Sequence, residues 1–222
     1  MNVDFIGKYV LSELQNRYQV TEVPLGEDAH MSKNMMHFVV KVYDIENIGN
    51  LCILTMNGMM GLMKMETIVL ACDRKDVPLL NMDTVKAMGN KTQIAEFYDT
   101  LLNHDDRTME NECQKIKDGD KDIPDHTSGE HWYDALLYKC SYAKKTKFKD
   151  KRTDISLKKY FQLYLKELER AETCNPIEKQ GKNRAFAQGL LVHGGPAVDQ
   201  VRKMFGEEKT KKLVLEYMYG IK

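Results

Sequence analysis

Met63–Thr100, MKMETIVLACDRKDVPLLNMDTVKAMGNKTQIAEFYDT, decides how the rest of the chain is read. Its two ends alternate with period two, the signature of strands, because successive side chains point to opposite faces. Over Met63–Ala71, residues Met63, Met65, Thr67, Val69 and Ala71 share one face, and Lys64, Glu66, Ile68 and Leu70 share the other. Over Thr92–Asp99, Ile94, Glu96 and Tyr98 lie opposite Ala95 and Phe97. A loop joins the two predicted strands. In it Asp76-Val77-Pro78 imposes an extended approach, since proline donates no hydrogen bond and restricts the residue before it. Gly89-Asn90 then turns the chain into the second strand. The loop carries Asp83, which follows Leu79, Leu80 and Met82. Two readings of this aspartate stay open on the local sequence. It is a turn or cap residue accepting from nearby backbone N–H groups, or a desolvated carboxyl that holds a proton near neutrality and can deliver it.

Outward from this stretch the chain is that of an ordinary globular protein. Its 222 residues are 42% hydrophobic and 30% charged, enough to bury one sizeable core, so a single domain spanning 1–222 is expected. Lys and Arg (33) balance Asp and Glu (33), so no global field recruits nucleic acid or an anionic membrane. No apolar run approaches a membrane span and no signal-peptide core follows the start. Cys52, Cys72, Cys113, Cys140 and Cys174 are scattered and odd in number, which fits reduced thiols in a cytoplasmic protein. Asp118, Asp120 and Asp122 imitate the start of a calcium loop, but Ile123 replaces the loop glycine and Gly129 falls on the last ligand position, so no metal is expected there. The methionines Met56, Met59, Met60, Met63 and Met65 suit either an adaptable ligand surface or simple core filling.

In chain order, residues 4–20 predict an amphipathic helix through Phe5, Ile6, Tyr9, Val10, Leu14 and Tyr18. Met36–Tyr43 and Leu51–Met56 predict two strands joined by a turn at Asn47–Asn50. Short connections favour an antiparallel meander, because parallel pairing needs a long crossover. Residues 103–130 predict an exposed connection with room for a short helix, and His131–Ser141 a helix. Asp154 is expected to cap a strong helix with the stripe Leu157, Tyr160, Phe161, Tyr164, Leu165 and Leu168, stopped at Asn175-Pro176. A further helix runs through Phe186, Leu190 and Leu191 to Gly194-Gly195, Pro196 opens another, and Gly206 separates it from a last one. Strands followed by helices give an α+β arrangement, an antiparallel sheet covered by helices.

The order of strand, polar loop, Asp76-Val77-Pro78, Asp83, Gly-containing turn and strand ending in Asp99 resembles the ferredoxin-dependent bilin reductases, whose superfamily includes red chlorophyll catabolite reductase. Ala197–Ile221, AVDQVRKMFGEEKTKKLVLEYMYGI, is similar to that family's final helix pair. The resemblance implies an α/β fold in the form of a three-layer α/β/α sandwich with a central antiparallel sheet and a linear tetrapyrrole, such as biliverdin, between the sheet and the C-terminal helices. It implies reduction of that pigment by electrons from reduced ferredoxin or a flavodoxin, with no bound flavin or nicotinamide and with protons supplied by the protein. Asp83 falls on the family's proton-donating aspartate. Glu66 falls where the most extensive reducer of the family has a histidine, and is expected to assist, or else to be a solvent-facing strand residue paired with a lysine. That enzyme's glutamate one strand earlier has only Thr55, Met56 or their neighbours here, which favours the alternative of a non-catalytic tetrapyrrole carrier. His193, before Gly194-Gly195-Pro196, is either a third assisting group or a cap favoured by the helix dipole. Asn183 and Arg184 are expected to meet a substrate propionate. The basic run Lys139, Lys144, Lys145, Lys147, Lys149, Lys151 and Arg152 is a solvated loop or a docking surface for an acidic ferredoxin or for propionates.

Overall fold

The computed structural model describes residues 5–104 and 108–221. Asp4, the expected start of the first helix, lies outside them. Helix α1 (Gly7–Gln15) is followed by the short strands β1 (Val20–Val23) and β2 (His30–Lys33), then β3 (Met36–Ile45), β4 (Gly49–Gly58), β5 (Met63–Cys72), β6 (Leu79–Ala87) and β7 (Asn90–Tyr98). Helix α2 (Thr108–Gly119), a 3-10 turn (Trp132–Leu136) and β8 (Tyr142–Lys147) lead to α3 (Arg152–Arg170), α4 (Pro176–His193), α5 (Pro196–Phe205), α6 (Glu207–Lys212) and a final π-helical turn, Leu213–Met218. All strand pairs are antiparallel, in the order β1-β3-β4-β5-β6-β7-β8, with β2 also on β3.

Helices cover both faces of this sheet, giving the three-layer α/β/α arrangement. On one face α1 and α3 press Val10, Leu14, Leu157, Phe161 and Leu165 onto Ile53, Ile68, Leu70 and Leu80. Here Phe97 lies parallel to Tyr160 and Tyr164, at centroid distances of 5.9 and 6.1 Å. On the other face α4, α5 and the π-helical turn bring Phe186, Leu190, Val198, Val201, Leu213 and Met218 over Phe38, Val40, Leu54 and Val69. Strands covered on both sides lose their polar–apolar alternation, and β5 is buried from Glu66 through Cys72.

That double burial explains the main correction. Asp83 is not in a loop but in the middle of β6, since Leu79-Leu80 at its start faces two cores and masks the period. The connection to β7 is a two-residue hairpin at Met88-Gly89, both at positive φ (49° and 78°) as a right-twisted hairpin requires. The edge strand β8 escaped notice because it is YAKKTK, the lysine-rich kind of edge that resists pairing with other chains. The expected helix over His131–Ser141 is only the 3-10 turn. The expected Asp154 cap is not one, because Asp154 Oδ1 accepts from Lys91 Nζ (2.7 Å) and Gln93 Nε2 (2.9 Å) across the layer. Helix α3 stops at Arg170, and Asn175 instead caps α4 by accepting from the Ile177 N–H, with Pro176 in the first turn.

Candidate functional site

Between the second face of the sheet and the C-terminal helices lies a cavity of about 520 Å³, within the range that takes small organic ligands. Methionines supply much of its wall, Met36, Met56, Met63, Met65 and Met218, together with Phe186 and Tyr219. Of the five methionines clustered in the sequence, Met56, Met63 and Met65 thus face the cavity, whereas Met59 and Met60 sit exposed in the β4–β5 turn.

A polar line crosses this apolar wall. Antiparallel register sets Thr67 of β5 opposite Asp83 of β6, and Asn81 of β6 opposite Glu96 of β7, with Asp83 and Asn81 two residues apart on one face. The Thr67 hydroxyl donates to Asp83 Oδ1 (2.5 Å), and the Asn81 amide donates to Asp83 Oδ2 (2.7 Å) and at 3.4 Å to Glu96 Oε2. The Tyr98 hydroxyl completes the line by donating to Glu96 Oε2 (2.6 Å). No ion pair reaches either carboxyl among the described residues. Burial therefore prevails over these hydrogen bonds and raises the pKa of Asp83. Burial likewise raises Glu96, to about 7, with a further push from the charge of Asp83 and opposition from Tyr98 and Asn81. Both carboxyls therefore hold their protons more tightly than free ones do, beside a largely apolar space.

The other expected site residues lie elsewhere. Glu66 pairs with Thr84, not with Asp83, and so points to the opposite face, where its Oε1 accepts the Gly7 N–H (2.8 Å) at the start of α1. It is buried rather than solvent-facing, and its position on β5 toward the cavity is taken by Thr67. His193 ends α4 exposed, with its ring 5.6 Å from that of Trp132, and does not line the cavity. Asn183 is buried and ties α4 to the sheet by donating to the Cys72 carbonyl (2.9 Å), which removes it from any ligand. Arg184, next to it, is outside the cavity wall. Part of the basic run is structural: Lys144 is buried and donates to the Ile123 carbonyl, and Arg152 pairs with Asp122 and Asp150.

Glu96 and Asn81 are the residues that sequence reasoning passed over. The alternation of β7 had placed Glu96 with Ile94 and Tyr98 on one face, but what it faces is decided by pairing with a strand read as a loop. His126, Ser128 and Gln200 add polar groups to the cavity wall, the last two from exposed positions. Among the described residues no group of three or more His, Cys, Asp or Glu is placed to hold a metal ion, and no helix is long and apolar enough to cross a membrane.

No protein-family profile and no curated protein sequence matches the chain. Among solved structures it is similar to selenomethionine phytochromobilin synthase from tomato in complex with biliverdin, with a TM-score of 0.74 over 97% of this chain and 82% of that one. The likeness is one of fold. At 12% identity the side chains of a site are free to differ.

Proposed function

We propose that the chain belongs to the bilin reductase superfamily, binds a linear tetrapyrrole in the methionine-walled cavity and reduces it, with Asp83 delivering a proton and a reduced ferredoxin or flavodoxin supplying single electrons. One observation carries this reading: Asp83, a half-buried carboxyl bonded only to neutral donors, faces an apolar cavity of about 520 Å³ under the C-terminal helices, on a fold shared with a biliverdin complex. An apolar wall suits the flat pigment, and its methionines adapt to an irregular edge. The propionates would leave through the side that carries Ser128 and Gln200, because no Lys or Arg lines the cavity. The protein's own part is to hold the pigment, exclude water and keep a proton on Asp83 until the pigment has taken an electron.

A second reading, a tetrapyrrole carrier without turnover, is favoured by β4, whose cavity-facing residues are Leu54 and Met56, so that it offers no acid. The two readings separate in one experiment. Purified protein is titrated with biliverdin, and reduced ferredoxin is then added anaerobically while the visible spectrum is followed for wild type and Asp83→Asn. A saturable shift followed by product bands, with turnover in Asp83→Asn down by about 10²-fold or more, is expected. A shift without turnover makes it a carrier, and no shift overturns tetrapyrrole binding.

A further inference from the structure

Saturating one carbon–carbon double bond takes two electrons and two protons, and a single carboxyl holds one proton. Resting on the reading above, we infer that Glu96 is the second proton donor of the site, coupled to Asp83 through the Asn81 amide. Three features point this way. Glu96 and Asp83 line the same cavity from neighbouring strands, and one amide group, Asn81 Nδ2, is hydrogen-bonded to both. Glu96 Oε2 is occupied by the donors Asn81 and Tyr98, so the proton of a neutral Glu96 resides on Oε1. Neither carboxyl is ion-paired among the described residues, unlike the buried acids and bases that hold this fold together, such as Lys179 with Asp76 and Lys91 with Asp154.

The sequence of transfers balances. The first electron from the iron–sulfur or flavin donor makes the pigment a radical anion, which takes the Asp83 proton into a new C–H bond and leaves an aspartate. That negative charge, next to Glu96, strengthens the hold of Glu96 on its own proton. Glu96 therefore stays neutral until the second electron makes the pigment a carbanion, which then takes the Glu96 proton into the second C–H bond. Two electrons enter, two protons enter, one double bond is saturated, and both carboxylates are recharged from solvent.

The test compares wild type, Asp83→Asn and Glu96→Gln, the last an isostere that keeps an acceptor for Asn81 and Tyr98. Biliverdin affinity of Glu96→Gln should stay within about 3-fold of wild type, while product formed with reduced ferredoxin falls by about 10²-fold and a one-electron pigment radical accumulates in the EPR spectrum. Full-rate reduction by Glu96→Gln overturns the role. A ligand-free readout separates this failure from failure of the parent reading. With ¹³C-labelled Glu and Asp carboxyls followed by NMR, the Glu96 midpoint should fall in Asp83→Asn, and an unmoved midpoint overturns the coupling. If wild type takes up no biliverdin, reduction and second-donor role fall together, whatever the carboxyl titration shows.

Discussion

On the α1/α3 face of the sheet the charged groups that go under cover tie the helices to the strands. Lys91 is buried against Asp154 and the Asp150 carbonyl, and Glu66 accepts the first N–H of α1, where the helix dipole also favours a negative group. On the α4/α5 face Asp83 and Glu96 meet only the neutral donors Thr67, Asn81 and Tyr98, and beyond them an apolar space. Each face carries a cavity, of about 660 Å³ beside α1 and about 520 Å³ under α4 and α5. Glu66 stands in the first, whose wall also holds Lys8, Lys41, Lys151 and Lys158, whereas Asp83 and Glu96 stand in the second, whose wall holds no Lys or Arg. A raised pKa alone does not mark a site, since Glu66 and Glu96 are both raised to about 7 and only Glu96 faces the methionine-walled cavity with Asp83.

That contrast can be broken in several ways. The largest effect on stability is expected at the start of α4, where Lys179 donates to the Val77 and Thr100 carbonyls at 2.7 Å each and pairs with Asp76 at 3.1 Å. Lys179→Ala takes this donor from two carbonyls and leaves Asp76 with only the Leu102 and Asn103 N–H groups, and should cost about 3–5 kcal/mol in urea unfolding. A loss under about 1 kcal/mol would mean that α4 is held by packing alone.

Truncating apolar side chains should then separate the two faces directly. Phe161→Ala in the packed core beneath α3 opens a new void and is expected to cost about 3–5 kcal/mol, while Met65→Ala merely enlarges an existing hollow and should cost about 1 kcal/mol or less. Equal losses would argue that the cavity wall is as tightly packed as the core.

The pH dependence sharpens the comparison. For Glu66 and Glu96 the folded protein holds a proton up to about 7, whereas the unfolded chain releases it near 4.5. Between those values the native state binds more protons, so this stability is fully present below pH 4.5 and is lost as pH rises through about 7, on the order of 3 kcal/mol for each residue. Glu66→Gln and Glu96→Gln should each flatten that fall in urea titrations run across the window. Biliverdin should shift only the Glu96 contribution, because Glu66 lies behind the sheet, and a ligand-induced change at Glu66 would contradict the separation of the faces.

The smallest effect on ligand binding is expected at Gly7, where an added Cβ would stand 2.6 Å from Glu66 Oε2. Gly7→Ala should cost about 1–3 kcal/mol in thermal or urea unfolding and leave biliverdin binding unchanged. A change in affinity would show that α1 communicates with the cavity through the sheet.

Much of the fold was legible because its signals are local. Alternation marked β3, β5 and β7, an apolar run marked β4, and Gly89, Gly194, Pro196 and Gly206 stand at the breaks they predict, since turns and helix ends depend on a few neighbouring φ angles. Asp83 drew notice through its apolar neighbours, and the family resemblance singled it out as a proton donor. The strand that carries it was not legible, because burial on both faces erases the period that identifies a strand. The partners of a site residue were harder still. Asn81 and Glu96 are 15 residues apart in sequence and meet only through the β6–β7 register, while Glu66 and Thr67 are adjacent and part company across the sheet. Composition and periodicity thus determined an antiparallel sheet between helices with one aspartate worth watching. Tertiary structure alone decided which carboxyl keeps it company, because register is a long-range choice and a shift of one residue exchanges one face of the sheet for the other.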